Sequence, residues 1–259
     1  MKHFLSFCFC LFMVSKASFS QISGEAFYRT KIDVSKSHPQ PPRGPMDDTK
    51  PLLMEFGSVL IFDQDEAIYR YLKTKNTTEF SDSHEDRRKQ FMMKRLAPEN
   101  DVIYTNTESG RVVSQKEFMD KLFLIETSIS TDKWKMTGET KLVSGMNCIK
   151  AAYISDTTDA SDFQNTFVWF APELPIAAGP AGFGGLPGLI LYINVNDGER
   201  EISLDQIIFK PIDKKELKEP KKGKKVTKEA FASIVRKKRE EQRQHLQDRR
   251  NQGGPPPHH

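Results

Sequence analysis

The chain has 259 residues, with 39 Lys and Arg against 35 Asp and Glu, a formal net charge of +4. At 37% hydrophobic and 29% charged residues, with a mean hydropathy of −0.57, it is too polar for a multi-span membrane protein. Three Cys exclude a disulfide-rich miniprotein, and 18 Phe, 6 Tyr and 2 Trp can build a core that a disordered chain would lack.

Met1-Lys2-His3 is a short positive start, and the apolar run FLSFCFCLFMV follows over residues 4–14. About 20 apolar residues are needed to cross a bilayer, so this run is too short. With small residues at Ser18 and Ser20 it predicts a signal peptide over residues 1–20, cleaved before Gln21. The expected location is exported, periplasmic or secreted, with no membrane span after cleavage. Cys8 and Cys10 lie inside the apolar run, where no lipid-accepting Cys would sit, and both leave with the leader. The mature chain keeps only Cys148, which predicts no intrachain disulfide and a small buried hydrophobe.

Short alternating or apolar runs follow, and these read as strands. They cover residues 22–34, 52–62, 66–73, 88–96, 102–107, 111–113, 121–126, 134–142, 149–154, 166–170, 189–195 and 201–211. In Ala67-Ile68-Tyr69-Arg70-Tyr71-Leu72, aromatic and aliphatic side chains favour a pleated surface. Residues 38–45 are a proline-rich excursion, 76–86 a polar loop (with an Asn76-Thr77-Thr78 triplet), and 156–162 an exposed tip. No long segment of helical period precedes residue 226. This predicts a mainly β fold over residues 21–212, a single antiparallel curved sheet or half-barrel.

Residues 169–194, WFAPELPIAAGPAGFGGLPGLILYIN, stand apart. Gly179, Gly182, Gly184, Gly185 and Gly188 cluster among Pro172, Pro175, Pro180 and Pro187, which specifies a rigid, irregular connection between two strands. Leu189-Ile190 after Gly188 fails the phosphate-binding P-loop, and Pro187 fails the dinucleotide fingerprint GxGxxG from Gly182. Residues 175–191 carry no charge. Three readings stay open: a structural loop folding apolar side chains under the sheet, an apolar ligand or partner surface, and catalysis.

The tail, residues 213–259, has 15 basic and 7 acidic residues, net +8. Residues 21–212 hold 22 basic and 28 acidic residues, net −6, and the remaining two cations are Lys2 and Lys16 of the leader. Residues 214–225 read as a lysine-rich linker. Thr227 is placed to cap a helix over residues 228–250, with Phe231, Ile234 and Val235 on one face at its start and a polar second half projecting into solvent. Asn251-Gln252-Gly253-Gly254 stops it, and the chain ends Pro255-Pro256-Pro257-His258-His259. The tail lacks interleaved aromatics and the chain is read as exported, so nucleic acid is excluded as a partner. Two terminal His without a third ligand predict no metal site.

Gly185-Leu186-Pro187-Gly188-Leu189-Ile190 resembles the hexapeptide of the GLPGLI family of exported Bacteroidota proteins. Trp134-Lys135-Met136, residues 143–151, Val168-Trp169-Phe170, Leu174-Pro175-Ile176 and Gly179-Pro180 are similar to that family's successive blocks, in order. Met146 departs from the aromatic often found at its place. The resemblance implies export and a β-rich body of unknown function, with no catalytic or ligand residues attached. Gly179, Pro180, Gly185, Leu186, Pro187, Gly188, Leu189 and Ile190 are therefore read as a structural motif. Asp156-Thr157-Thr158 resembles an O-glycosylation site, with Thr157 as acceptor.

No catalytic, cofactor-binding or metal-ligating residues are assigned, and no cofactor is expected. The main functional expectation is a non-enzymatic periplasmic binding or assembly factor with an apolar groove for a hydrophobic ligand. The alternative is an interaction module of an outer-membrane protein complex that uses the basic C-terminal helix. A hydrolase would need a nucleophile–base pair or a carboxylate cleft. The cluster Asp63, Asp65 and Glu66 reads as a solvated turn, and His38, His84, His245, His258 and His259 lie in polar or terminal stretches.

Overall fold

The computed structural model describes residues 22–37, 53–72, 100–154 and 163–252. The expected leader, the proline-rich stretch of residues 38–45, the strand expected over 88–96, Asn76, Thr157 and the Pro/His end lie outside the described residues.

The described chain is built from antiparallel strands joined mostly by short turns: β1 (Gly24–Asp33), β2 (Leu53–Phe62), β3 (Glu66–Tyr71), β4 (Val102–Asn106), β5 (Arg111–Phe118) and β6 (Lys121–Ser128). After these come β7 (Trp134–Val143), β8 (Met146–Tyr153), β9 (Phe167–Ala171), β10 (Leu189–Val195), β11 (Arg200–Phe209) and the three-residue β12 (Lys224–Val226). One helical turn, α1 (Val34–Ser37), follows β1, and α2 (Lys228–Gln252) ends the described chain. All twelve strands lie in one open sheet, ordered β12-β6-β5-β4-β3-β2-β1-β11-β10-β9-β8-β7. The mainly β prediction of a single antiparallel sheet therefore holds, with β12, paired parallel to β6, as its one parallel member. The long-range step is β1 against β11, from Gly24 opposite Phe209 to Ile32 opposite Arg200.

Alternation puts two different surfaces on the sheet. One face buries Tyr28, Leu60, Phe62, Tyr69, Phe170 and Ile190, and the connection from β9 to β10 covers it with Leu174, Ile176, Ala178 and Leu186. We call this the loop face. The opposite face buries Val59, Ile61, Ile68, Tyr104, Val113 and Leu124 under Leu217, with Ile212 packed alongside. We call this the strap face.

The lysine-rich segment expected to be a linker is that strap. Lys214 Nζ reaches Asp63 at 2.6 Å and Glu66 at 2.9 Å, and Arg111 forks onto both carboxylate oxygens of Glu219 at 2.6 and 3.0 Å. β12 then pairs with β6. Thr227 Oγ1 accepts from the Ala230 amide at 3.1 Å, which caps α2 as the sequence predicted. Phe231 packs edge-on against Phe118 and Phe123. Phe123 alternates with Leu124, so the chain crosses the strap face, pairs at the β6 edge and starts its helix on the other face.

Candidate functional site

The connection between β9 and β10 carries Gly179, Pro180, Gly185, Leu186, Pro187 and Gly188, and the last two motif residues, Leu189 and Ile190, open β10. It begins where Pro172 ends β9. The Leu174 amide donates to Ala171 O at 3.2 Å, and Leu174 O accepts from the Leu189 amide at 2.8 Å, so the two ends of the loop are tied together. Gly179 and Pro180 enter a 3-10 turn at Pro180–Gly182, with Ala181 and Gly182 at positive φ. Ala178 and Gly184 form a β-bridge, and the Gly185 amide donates to Ala177 O at 2.8 Å.

The motif glycines serve close packing. Gly185 has φ +83, and a Cβ there would lie 2.9 Å from Ile129 Cγ2. At Gly188 a Cβ would sit 2.3 Å from Ala171 O, a distance no packed side chain tolerates. Leu186, Leu189 and Ile190 are buried in the loop-face core, and Pro187 is exposed. Leu174, Ile176, Ala178 and Leu186 of this segment fold under the sheet.

Two polar contacts secure the loop. Trp134 Nε1 donates to Gly184 O at 2.8 Å, and Trp134, Tyr153, Phe163 and Phe183 form a ring cluster with centroids 5.3–6.2 Å apart. In β10 the register shifts between Ile190 and Tyr192. The Tyr28 hydroxyl donates to Ile190 O at that irregularity, 2.8 Å away, from a fully buried position. Burial pushes its phenol well above the usual range. Neither Tyr28 nor Trp134 was singled out for this role, because each contact joins residues far apart in the chain.

An apolar groove was expected in the half-barrel. The loop face is instead filled by the loop's own Leu174, Ile176, Ala178 and Leu186, because an uncharged, glycine-rich segment packs most favourably into the apolar face beside it. A surface cleft of about 440 Å³ remains beside the motif, lined by Thr107, Glu108, Ser109 and Gly110, by Ile129 and Thr131, and by Ala177, Gly185, Leu186 and Pro187. Part of its polar lining is committed locally. Thr107 Oγ1 donates to Asp65 O at 3.0 Å, and Ser109 Oγ to Asn106 Oδ1 at 2.7 Å. The Glu108 carboxylate and the Thr131 hydroxyl are exposed and have no hydrogen-bond partner among the described residues, beside apolar Ile129, Leu186 and Pro187. The signal for the first wall was in the sequence: Asn106-Thr107-Glu108-Ser109-Gly110 is a turn. Its meeting with the motif was not.

The other predicted groups are accounted for. Cys148 is buried and its Sγ approaches Met146 O at 3.6 Å; burial pushes the thiol up to about 11. Asp63 Oδ1 accepts from the Asp65 and Glu66 amides at 3.0 and 2.8 Å, so the carboxylate cluster organises the β2–β3 turn and anchors the strap. His245 is exposed on α2. No group of His, Cys, Asp and Glu among the described residues could hold a metal ion, and no helix among them is long and apolar enough to cross a membrane.

A family described as "Protein of unknown function (Porph_ging)" matches residues 155–192, a stretch that includes β9, the motif loop and the start of β10. No curated protein matches the chain. Among solved structures the chain is similar to PNGF-II, in its C2 and its P21 crystal forms. Each comparison gives 17% identity and a TM-score of 0.50 over 83% of this chain, a likeness of fold. The chain spans about a third of the length of PNGF-II, 32% and 33% of the two structures.

Proposed function

We propose that this chain is an exported, non-enzymatic binding or assembly factor, of the GLPGLI type, and that it recognises its ligand at the cleft beside the motif. The carrying observation is the juxtaposition of Gly185, Leu186 and Pro187 with Glu108 and Thr131 around about 440 Å³. The hexapeptide lies inside the matched stretch of residues 155–192, which supports the finer family assignment. An apolar rim with one uncommitted carboxylate and one hydroxyl suits a hydrophobic ligand or partner segment that carries a hydrogen-bond donor. The sheet and the loop supply rigidity. Export rests on the leader of residues 1–20.

The test is native mass spectrometry of the protein purified from its own periplasm, beside Thr131→Trp. Thr131 is exposed, so the indole fills the cleft without disturbing the core. The expected result is a bound mass on the unsubstituted protein that the variant loses at an unchanged melting temperature. A ligand retained by Thr131→Trp would place recognition elsewhere. A second reading, as an interaction module of an outer-membrane complex, draws on α2, whose residues 236–245 are all exposed.

A further inference from the structure

We propose that α2 is a membrane-surface contact, in which Arg236, Arg239 and Arg243 dock on the phosphate groups of an anionic lipid bilayer. The proposal rests on α2 being the interacting element, as in the second reading above, and replaces its protein partner by lipid.

Among the described residues, the helix packs on the sheet through its first turns. Phe231 sits against Phe118 and Phe123, and Ile234 and Val235 are half-buried. Beyond them, residues 236–252 extend for about 25 Å at 1.5 Å per residue. An α-helix turns about 100° per residue, so positions 236, 239 and 243 fall within about 60° of one another on a single stripe. Glu241 and Asp248 lie more than about 100° off that stripe, while Glu240 borders it, about 40° from Arg236, so the stripe nets two positive charges. The three guanidinium groups are exposed, and none has a carboxylate partner among the described residues. Lys238 on a neighbouring face is spent on Glu241 at 2.6 Å.

Residue choice points the same way. Residues 214–228 hold eight Lys and no Arg, whereas the stripe is wholly Arg. Lys is a hydrated point charge, while the planar guanidinium forks onto two oxygens of one phosphate. A protein partner would be anchored by apolar or aromatic side chains at the centre of the contact. The stripe offers none between Val235 and Arg243, and charge alone is sufficient against a surface of repeated anionic headgroups. Such binding leaves the helix on the bilayer surface and weakens as salt shortens the screening length from about 10 Å at 0.1 M to about 3 Å at 1 M.

The test is co-sedimentation of the full mature chain with vesicles of phosphatidylglycerol and phosphatidylcholine, against phosphatidylcholine alone, at low and high salt. Arg236→Gln/Arg239→Gln/Arg243→Gln removes the stripe. Lys215→Gln/Lys218→Gln/Lys222→Gln removes the same charge from the strap. Near an anionic surface each cation contributes about 1 kcal/mol, so the first variant should lose on the order of a hundredfold in partitioning. The second should retain most of it, and high salt should release the protein. Equal losses in both variants would reduce the effect to net charge and overturn the stripe. No preference for phosphatidylglycerol overturns the lipid partner; if deletion of residues 228–259 nevertheless removes a cross-linked protein, α2 stands as the interacting element and the partner is a protein.

Discussion

At the scale of single residues, the motif loop depends on contacts that its own composition does not announce. Glycine and proline density made the loop legible, and the clash of any Cβ at Gly188 with Ala171 O explains why glycine stands there. The tether from Tyr28 was not legible, since 162 residues separate it from Ile190. A shifted register leaves a carbonyl without a ladder partner, and a buried carbonyl needs a donor. Tyr28→Phe keeps the ring and removes only that donor. The expected cost is about 1–3 kcal/mol, the penalty for stranding a buried acceptor. Urea unfolding should show a lower midpoint at an unchanged slope, and an unchanged midpoint would mean that Ile190 O is satisfied without the phenol.

At the scale of elements, the strands were largely legible because alternation survives wherever one face is buried. β5 was read as residues 111–113 and runs Arg111–Phe118, since its second half, Ser114-Gln115-Lys116-Glu117, is polar and carries no alternation to read. β12 escaped notice for a related reason: Lys224-Lys225-Val226 has no pattern of its own and becomes a strand only beside β6. The strap before it is held by charge as well as by Leu217, and this makes its stability depend on pH. Burial would raise the Asp63 carboxyl, but the Lys214 ammonium and the Glu66 and Asp65 amides outweigh burial and hold it below its usual range. Hydrogen bonds from Arg111 hold Glu219 low in the same sense. A carboxylate whose folded pKa lies below its unfolded value stabilises the fold above the unfolded pKa, and that contribution is lost as pH falls through the folded one. Melting temperature should therefore drop between about pH 5 and pH 2. Asp101 acts in the opposite sense, because burial raises it. The informative comparison is Asp63→Asn, which keeps an oxygen for the turn amides and drops the charge. The variant should melt lower than the parent at pH 7, and the gap should close toward pH 2. A gap that stays constant with pH would remove Lys214–Asp63 from the account of strap stability.

At the scale of the whole molecule, the charge division of the sequence does not coincide with the physical one. A body of net −6 and a tail of net +8 suggested a boundary at residue 212. Yet Ile212 and Leu217 cover the strap-face cluster and Lys224–Val226 pairs with β6, so among the described residues it is α2 beyond Val235 that stands free of the sheet. Leu217 is 2% exposed and closes a cluster of Val59, Ile61, Ile68, Tyr104, Val113 and Leu124. Without the strap those six side chains form one exposed apolar patch, of the kind that drives association in a monomer. Losing a single buried Leu side chain costs about 2–5 kcal/mol, a large share of the total stability of a domain. Two truncations separate the charge boundary from the packing boundary. Residues 21–226 keep the strap and β12 and should unfold cooperatively, a little less stable than the full mature chain because Phe231 no longer packs on Phe118 and Phe123. Residues 21–212 should bind a hydrophobic dye, aggregate on heating and lack a sharp calorimetric transition. Equal melting temperatures for the two truncations would show that the strap face is stable uncovered, and would return the boundary to the place where the charge changes sign.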